Sequence, residues 1–309
     1  MLQNKKEIVD KWEITDQGED PHIIVRIQIL QDQTHHRITI HQGAYIRCIL
    51  DHFGMANLDT IAMPMDNNSK LVNATEEDLF EHPTLYWEAI GALLYASMGT
   101  RPDITYAVQT LSQFASKPSK DHWWAVKRVL QYLQGTKDLG MTYDDTNSFA
   151  DIHVSRYSDT DWASLTINHW SISGYVFTIV RGAVAWSSKK QPTVALSLME
   201  AEYMASSNVT TQAIWLWKLF NELNFIQSSP AELLLDDQSA IVLASNPQFH
   251  PQSKHINIWH HFIRSCISDG QVQLYWCLTD KMIVDILTKP LAYPKFNLLS
   301  QSLGMLAPV

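Results

Sequence analysis

The stretch TVALSLMEAEYMA, from Thr193 to Ala205, puts an acid where a helix should be apolar. On a period of about 3.6 residues, Leu198, Ala201, Glu202, Ala205, Val209, Ala213, Leu216 and Phe220 share one face, which sets Glu202 on the packing side and Glu200 off it. A carboxylate facing a core is costly unless a cation, a hydrogen-bond network or a metal ion pairs with it. Three other acidic stretches offer company: YSDTDWA at Tyr157 to Ala163, LLLDDQSAI at Leu233 to Ile241, and TDKMIVDILTKPL at Thr279 to Leu291. Each sets an aspartate at the end of a β-like run or near the start of a helical one, where open α/β sheets carry their chemistry.

Outward from this helix, expected over Leu196 to Leu223, the chain from about Ala150 reads β-β-β-α-β-α-β-α. His153 to Ser158, Gly174 to Val180 and Ala183 to Ser187 suit an antiparallel meander before the helix. After it come a strand at Glu232 to Leu235, helices at Gln238 to Ala244 and near Ile258 to Ser268, a strand at Val272 to Cys277 and a last helix from about Lys281. Upstream, Ile23 to Leu30 and Arg37 to His41 read as a hairpin, followed by a helix from Ala44 to Phe53 with Gly54 at its C′ position. A connector, Met63 to Val72, leads to three helical segments: Thr84 to Met98, Asp103 to Ala115 and Ser119 to Leu133. Ser119 is the expected N-cap and Gly135 the expected stop of the last.

Tyr143-Asp144-Asp145 has the form of an aromatic-aspartate-aspartate polymerase turn. It sits in a polar DDTNS stretch with no flanking strand to complete a hairpin, and it reads as a linker. The expected fold class is α/β, with an α+β unit over 1–65, a helical connection over 66–148, and a domain over 149–309 built on a mixed five-stranded sheet with flanking helices.

A length of 309 residues suits two domains and 46% hydrophobic content suffices for their cores. No apolar run approaches the roughly 18 residues of a membrane helix, and the charged start MLQNKKEIVDKWEI has no apolar leader, so a soluble intracellular protein is expected. Cys48, Cys266 and Cys277 lack metal or disulfide spacing. The net charge of −9 argues against general nucleic-acid affinity, because phosphate contacts need clustered Lys and Arg. Local basic candidates are Lys189 and Lys190, Lys254 beside His255, and Lys117, Lys120, Lys127 and Arg128.

Among the acids, Asp159 and Asp161 fall on one side of a strand and only one of them need be a ligand. Asp236 and Asp237 should diverge, with Asp236 better placed at the strand end, and Asp285 lies early in the last helical stretch. Four carboxylates brought together repel unless neutralised, and hard oxygen donors suit Mg²⁺ or Mn²⁺. Two such ions about 4 Å apart can activate water and stabilise a leaving oxygen in phosphodiester hydrolysis.

YSDTDWA, SGYVF, AWSSKKQPTVALS, MEAEYMA, LDDQSAI, NPQFH, KHINI and YWCLTDKMIVDILTKPL, in this order, closely resemble the ribonuclease H domain of copia-type retrotransposon polyproteins. AIGALLYASMGTRPDITYAV and LSQFASKPSKDHWWAVKRVLQYLQGTKDLG resemble their connection region, and the first 65 residues the end of their reverse transcriptase. The resemblance implies a ribonuclease H-like domain that cuts the RNA strand of an RNA–DNA hybrid with Mg²⁺ or Mn²⁺ held by Asp159, Glu202, Asp236 and Asp285, leaving a 3′-hydroxyl and a 5′-phosphate. Ser187, Ser188, Lys189, Lys190 and Gln191, with Lys254 and His255, would contact the hybrid, whose A-form shape rather than sequence is read. The implied partners are the hybrid and the polymerase portion of the polyprotein, whose aspartate pair lies upstream of this chain; no polymerase activity and no membrane partner are expected.

The chain also departs from the family. Trp87, Trp170, Trp217 and Trp259 stand where arginine is common, and the total of 11 tryptophans fits a copy decaying by cytosine deamination. Three other readings stay open: an inert remnant that keeps the fold only, an integrase-type core, which would place its glutamate last among the acids, and a purely structural module.

Overall fold

The computed structural model describes residues 22–67, 71–144, 154–161, 170–195, 197–223, 225, 230–245 and 257–307. Two five-stranded sheets organise them. The first is antiparallel and joins β1 (Ile23–Ile24), β2 (Ile27–Asp32), β3 (Arg37–His41), β4 (Gly140–Asp144) and β10 (Met305–Leu306), in that order across the sheet. Between β3 and β4 run four helices: α1 (Gly43–His52), α2 (Pro83–Gly99), α3 (Thr105–Ser112) and α4 (Lys120–Gly135). Gly54, at φ +67°, ends the first of them in the left-handed conformation that glycine adopts without cost. Ser119 caps α4 as its sequence suggests: its hydroxyl accepts from the His122 N–H at 3.2 Å, and the His122 ring returns a bond to the Ser119 N–H at 2.9 Å.

The second sheet holds β5 (Val154–Asp161), β6 (Ile172–Ile179), β7 (Gly182–Lys190), β8 (Ala231–Leu235) and β9 (Val272–Trp276). Their order is β7-β6-β5-β8-β9, so the meander β5–β7 lies on one side of β5 and the parallel strands β8 and β9 on the other. The long helix α5 (Leu198–Glu222) crosses between the two halves. Helices α6 (Gln238–Ser245) and α7 (Asn257–Ser268) follow β8. This mixed sheet with flanking helices is a ribonuclease H-like architecture.

Strand β6 shows how the sheet is buried on both sides. Val176 belongs to a core shared with the first sheet's helices, whereas Phe177 packs with Val209, Ala213, Leu216 and Leu233 under α5. The shared core runs without a break from Ile46, Leu93, Val108 and Leu130 to Ala183, Val284 and Leu287. Backbone bonds also cross between the sheets: Ala183 N–H to Leu303 O at 3.0 Å and Asp144 N–H to Val180 O at 3.4 Å. Trp186 donates its indole N–H to Ser97 O at 2.9 Å.

Several expectations are corrected. Tyr143 and Asp144 lie in strand β4, not in a linker; Asp144 accepts from Arg37 Nη2 at 2.7 Å across the β3–β4 pair, and Asp145 falls outside the described residues. The partner strand is some hundred residues upstream, which no local pattern reveals. The segment expected as one helix from Lys281 breaks into a 3₁₀ turn (Thr279–Lys281), a short helix α8 (Asp285–Thr288) and α9 (Tyr293–Ser302). Pro290 and Pro294 account for the break between α8 and α9. In α5, Leu198 is exposed and Glu200 buried, the reverse of the single-stripe expectation, because the first half of this helix is enclosed on nearly every side. No described helix is long and apolar enough to cross a membrane.

Candidate metal centre

Strands β5 and β8 are parallel neighbours, paired at Tyr157 and Leu234, and the chain leaves them in opposite directions across the sheet. Their carboxyl ends therefore open a crevice of the kind that receives ligands in α/β folds. Asp159, near the end of β5, and Asp236, directly after β8, flank it. Ser197 starts α5 by accepting the Glu200 N–H at 3.2 Å, and this start sets Glu202 against the same crevice. One carboxylate oxygen from each of Asp159, Glu202 and Asp236 lies within 4.8 Å of the others.

The choices within each acidic pair follow from the geometry. Asp159, not Asp161, enters the cluster. Asp237 turns away and accepts the Ser239 N–H at 2.7 Å at the start of α6, leaving Asp236 as the strand-end acid. Asp285 opens α8, fully buried, beside this cluster rather than within it. Its oxygens meet Lys289 Nζ at 2.8 Å and Lys295 Nζ at 2.6 Å.

Neighbouring hydroxyls orient the acids. Thr288 donates to Asp159 Oδ2 at 2.7 Å and Thr279 donates to Asp236 Oδ2 at 3.2 Å. Thr288, Lys289, Lys295 and Thr279 carry no sign of this role in composition, although Thr288 and Lys289 stand in the LTKPL motif and Lys289 follows Asp285 by one helical turn. Gly174 faces Asp159 across β5 and β6 and makes room for the α8 segment: a β-carbon there would come within 2.7 Å of Thr288 Cγ2.

Burial dominates the electrostatics. Desolvation raises Asp159 to about 6, against the pull of Lys289 and Thr288 and with repulsion from Asp285 and Asp236. Glu202, only 3% exposed, is raised well above the carboxylate range by desolvation and then by Asp159, Asp236 and Asp237, while the Thr160 backbone N–H draws it down. Asp236 is raised too, first by desolvation. Three hard oxygen donors at this spacing, each disfavoured as a bare anion, fit a divalent cation of the Mg²⁺ or Mn²⁺ type.

The residues expected to grip a hybrid divide. Ser188 and Gln191 are buried. Gln191 is a tie instead, its amide donating to Ala201 O at 2.8 Å, Ser173 Oγ at 2.7 Å and Thr160 Oγ1 at 3.2 Å. Ser187, Lys189 and Lys190 remain accessible along a cavity of about 360 Å³ between β7 and α5, lined also by Asn208, Thr211 and Gln212. The Lys190 ammonium sits 4.2 Å from the Trp170 ring. Lys254 and His255 lie outside the described residues.

No protein-family profile matches the chain. Among known proteins it is similar to the retrovirus-related Pol polyprotein from transposon TNT 1-94 of Nicotiana tabacum, 34% identical over 287 residues, which are 91% of this chain and 21% of that polyprotein. It is similar also to that of transposon RE2 of Arabidopsis thaliana, 37% identical over 265 residues, 86% of this chain and 18% of the polyprotein. The chain thus spans about a fifth of the length of these relatives. Among solved structures, the N-terminal RNase H domain of a Mycobacterium tuberculosis protein aligns with 49% of this chain and 99% of its own at 14% identity and a TM-score of 0.34. Identity above a third, sustained over nearly the whole chain, settles the ancestry: the chain belongs to the retrovirus-related Pol polyproteins of copia-type transposons.

Proposed function

We propose that this chain is the ribonuclease H portion of a copia-type element and hydrolyses the RNA strand of RNA–DNA hybrids. The observation that carries this reading is the meeting of Asp159, Glu202 and Asp236 within 4.8 Å at the ends of two parallel strands, with Asp285 alongside. A divalent ion held there, or a pair of ions, would activate water and stabilise charge on the scissile phosphate. The chain's own part is to hold the donors still. Thr288 and Thr279 fix the rotamers of Asp159 and Asp236, and Glu202 is anchored by a helix whose first turns are enclosed. Raised proton affinity means that a cation binding there competes with a proton for Glu202. Lys189 and Lys190 supply local positive charge for phosphates on a chain whose net charge is −9.

Substrate class is tested with one labelled RNA strand presented alone, paired with RNA, or paired with DNA, each with Mn²⁺ and then with chelator. Cutting confined to the hybrid and stopped by chelation is the expected outcome. Equal cutting of all three substrates, or cutting that survives chelation, contradicts the reading.

A further inference from the structure

Asp285 is the acid of the four whose carboxylate is already occupied on both oxygens. Lys289 Nζ takes Oδ1 at 2.8 Å and Lys295 Nζ takes Oδ2 at 2.6 Å, and the carboxylate has no exposed surface. Lys289 Nζ also lies 3.7 Å from Asp159 Oδ2, so one ammonium stands between two of the four acids. Three acids have oxygens close enough together to share an ion, and Asp285 is outside that group. Four carboxylates and two ammoniums leave a formal charge that a single divalent ion cancels; a second ion would overcharge the site unless an ammonium left. Lysine suits that exchange, because its flexible stem withdraws without moving backbone, and Lys289 and Lys295 each keep about a third of their side-chain surface in solvent.

We propose that Lys289 is a resident cation of this centre, seated between Asp159 and Asp285, which holds the site to one divalent ion until its ammonium is displaced, with Lys295 as the second clamp on Asp285. The assignment rests on the reading of Asp159, Glu202 and Asp236 as metal ligands. Lys289 is on this view a positioning residue, and its role is read in ion stoichiometry.

Mn²⁺ is titrated into the full chain and into its Lys289→Met, Lys295→Met and Glu202→Gln variants. Bound ions are counted by calorimetry and electron paramagnetic resonance, and folding is checked by circular dichroism. The wild type should bind one ion at the centre. Lys289→Met should take a second, with affinity for that ion raised about tenfold or more as the competing charge is lost, and Lys295→Met should show a smaller gain. Two folded lysine variants that bind as many ions as the wild type, with affinities within twofold, overturn the proposal. So does a wild type that fills two equal sites. Should Lys289→Met fail to fold, Lys295→Met decides by itself, since it frees Asp285 Oδ2. A wild type that binds no ion at all, like Glu202→Gln, is a different failure: it removes the metal centre and the lysine assignment with it.

Discussion

Glu202 lies on the core-facing side of a helix at 3% exposure, and its environment favours the protonated acid. Asp159 and Asp236 are raised in the same direction, so between the ordinary carboxylate range and these raised values the folded chain binds more protons than the unfolded one. The stability carried by those protons is present in acid and is lost as pH rises through about 6 for Asp159 and through the raised range of Glu202. Buried His41 and His122, both held down by burial, work in the opposite sense, so the informative quantity is a difference between variants. In metal-free urea titrations Glu202→Gln should exceed the wild type by about 1–4 kcal/mol at pH 8, and the gap should close towards pH 4. An offset that does not change with pH would show that Glu202 titrates normally. The glutamate was legible because a 3.6-residue period exposes an acid on an apolar face; its neighbour Glu200 was misread because the same period assumes a single buried stripe, and this helix is enclosed more widely. Asp285 was singled out by its sequence and lies beside the cluster; its two lysines were not legible, since Lys295 reaches it from the next helix.

At the scale of elements, the short helix α8 reaches the centre only because β6 carries glycine where it passes. Gly174→Ala would press a methyl against Thr288, Val284 and Leu287 and shift the segment that holds Asp285. A loss of about 1–3 kcal/mol is expected, together with weaker Mn²⁺ binding; unchanged binding would show that α8 does not set the geometry of the centre. In the helical lobe, Arg101 is wholly buried and pairs with Asp103 through Nε at 2.9 Å and Nη2 at 2.7 Å, while Tyr132 donates to Asp103 and the guanidinium also reaches Thr136 O. Arg101→Met should cost about 3–5 kcal/mol by stranding a buried carboxylate, read as a lowered denaturation midpoint. Ser119→Ala, which removes the α4 cap, should cost about 1 kcal/mol. The cap was legible because its signals are local; β4 was not, because its pairing with β3 spans the whole helical lobe.

At the scale of the molecule, one core passes under both sheets, and β4, β7 and the turn before β10 exchange backbone bonds. Unfolding followed by tryptophan fluorescence and by far-ultraviolet circular dichroism should therefore coincide in one transition, and two separated midpoints would contradict the shared core. The arrangement also bears on the tryptophans that stand where the family resemblance implies arginine. Trp87 donates to Ala115 O at 2.5 Å and Trp170 lies against Lys190, so these two tryptophans are accommodated by the fold. Under the proposed function, hybrid binding draws on local cations such as Lys189 and Lys190. An inert remnant and a working nuclease would share this fold, and they part at the chemistry. The decisive measurement is cleavage of a labelled RNA–DNA hybrid by the full chain with Mg²⁺ or Mn²⁺, beside Glu202→Gln at equal concentration. Metal-dependent cutting of the RNA strand by the wild type, reduced at least a hundredfold (about 3 kcal/mol) in the variant, is the result expected. No cutting by a folded wild-type chain, or equal cutting by both proteins, would contradict the assignment of Asp159, Glu202, Asp236 and Asp285 as its active site.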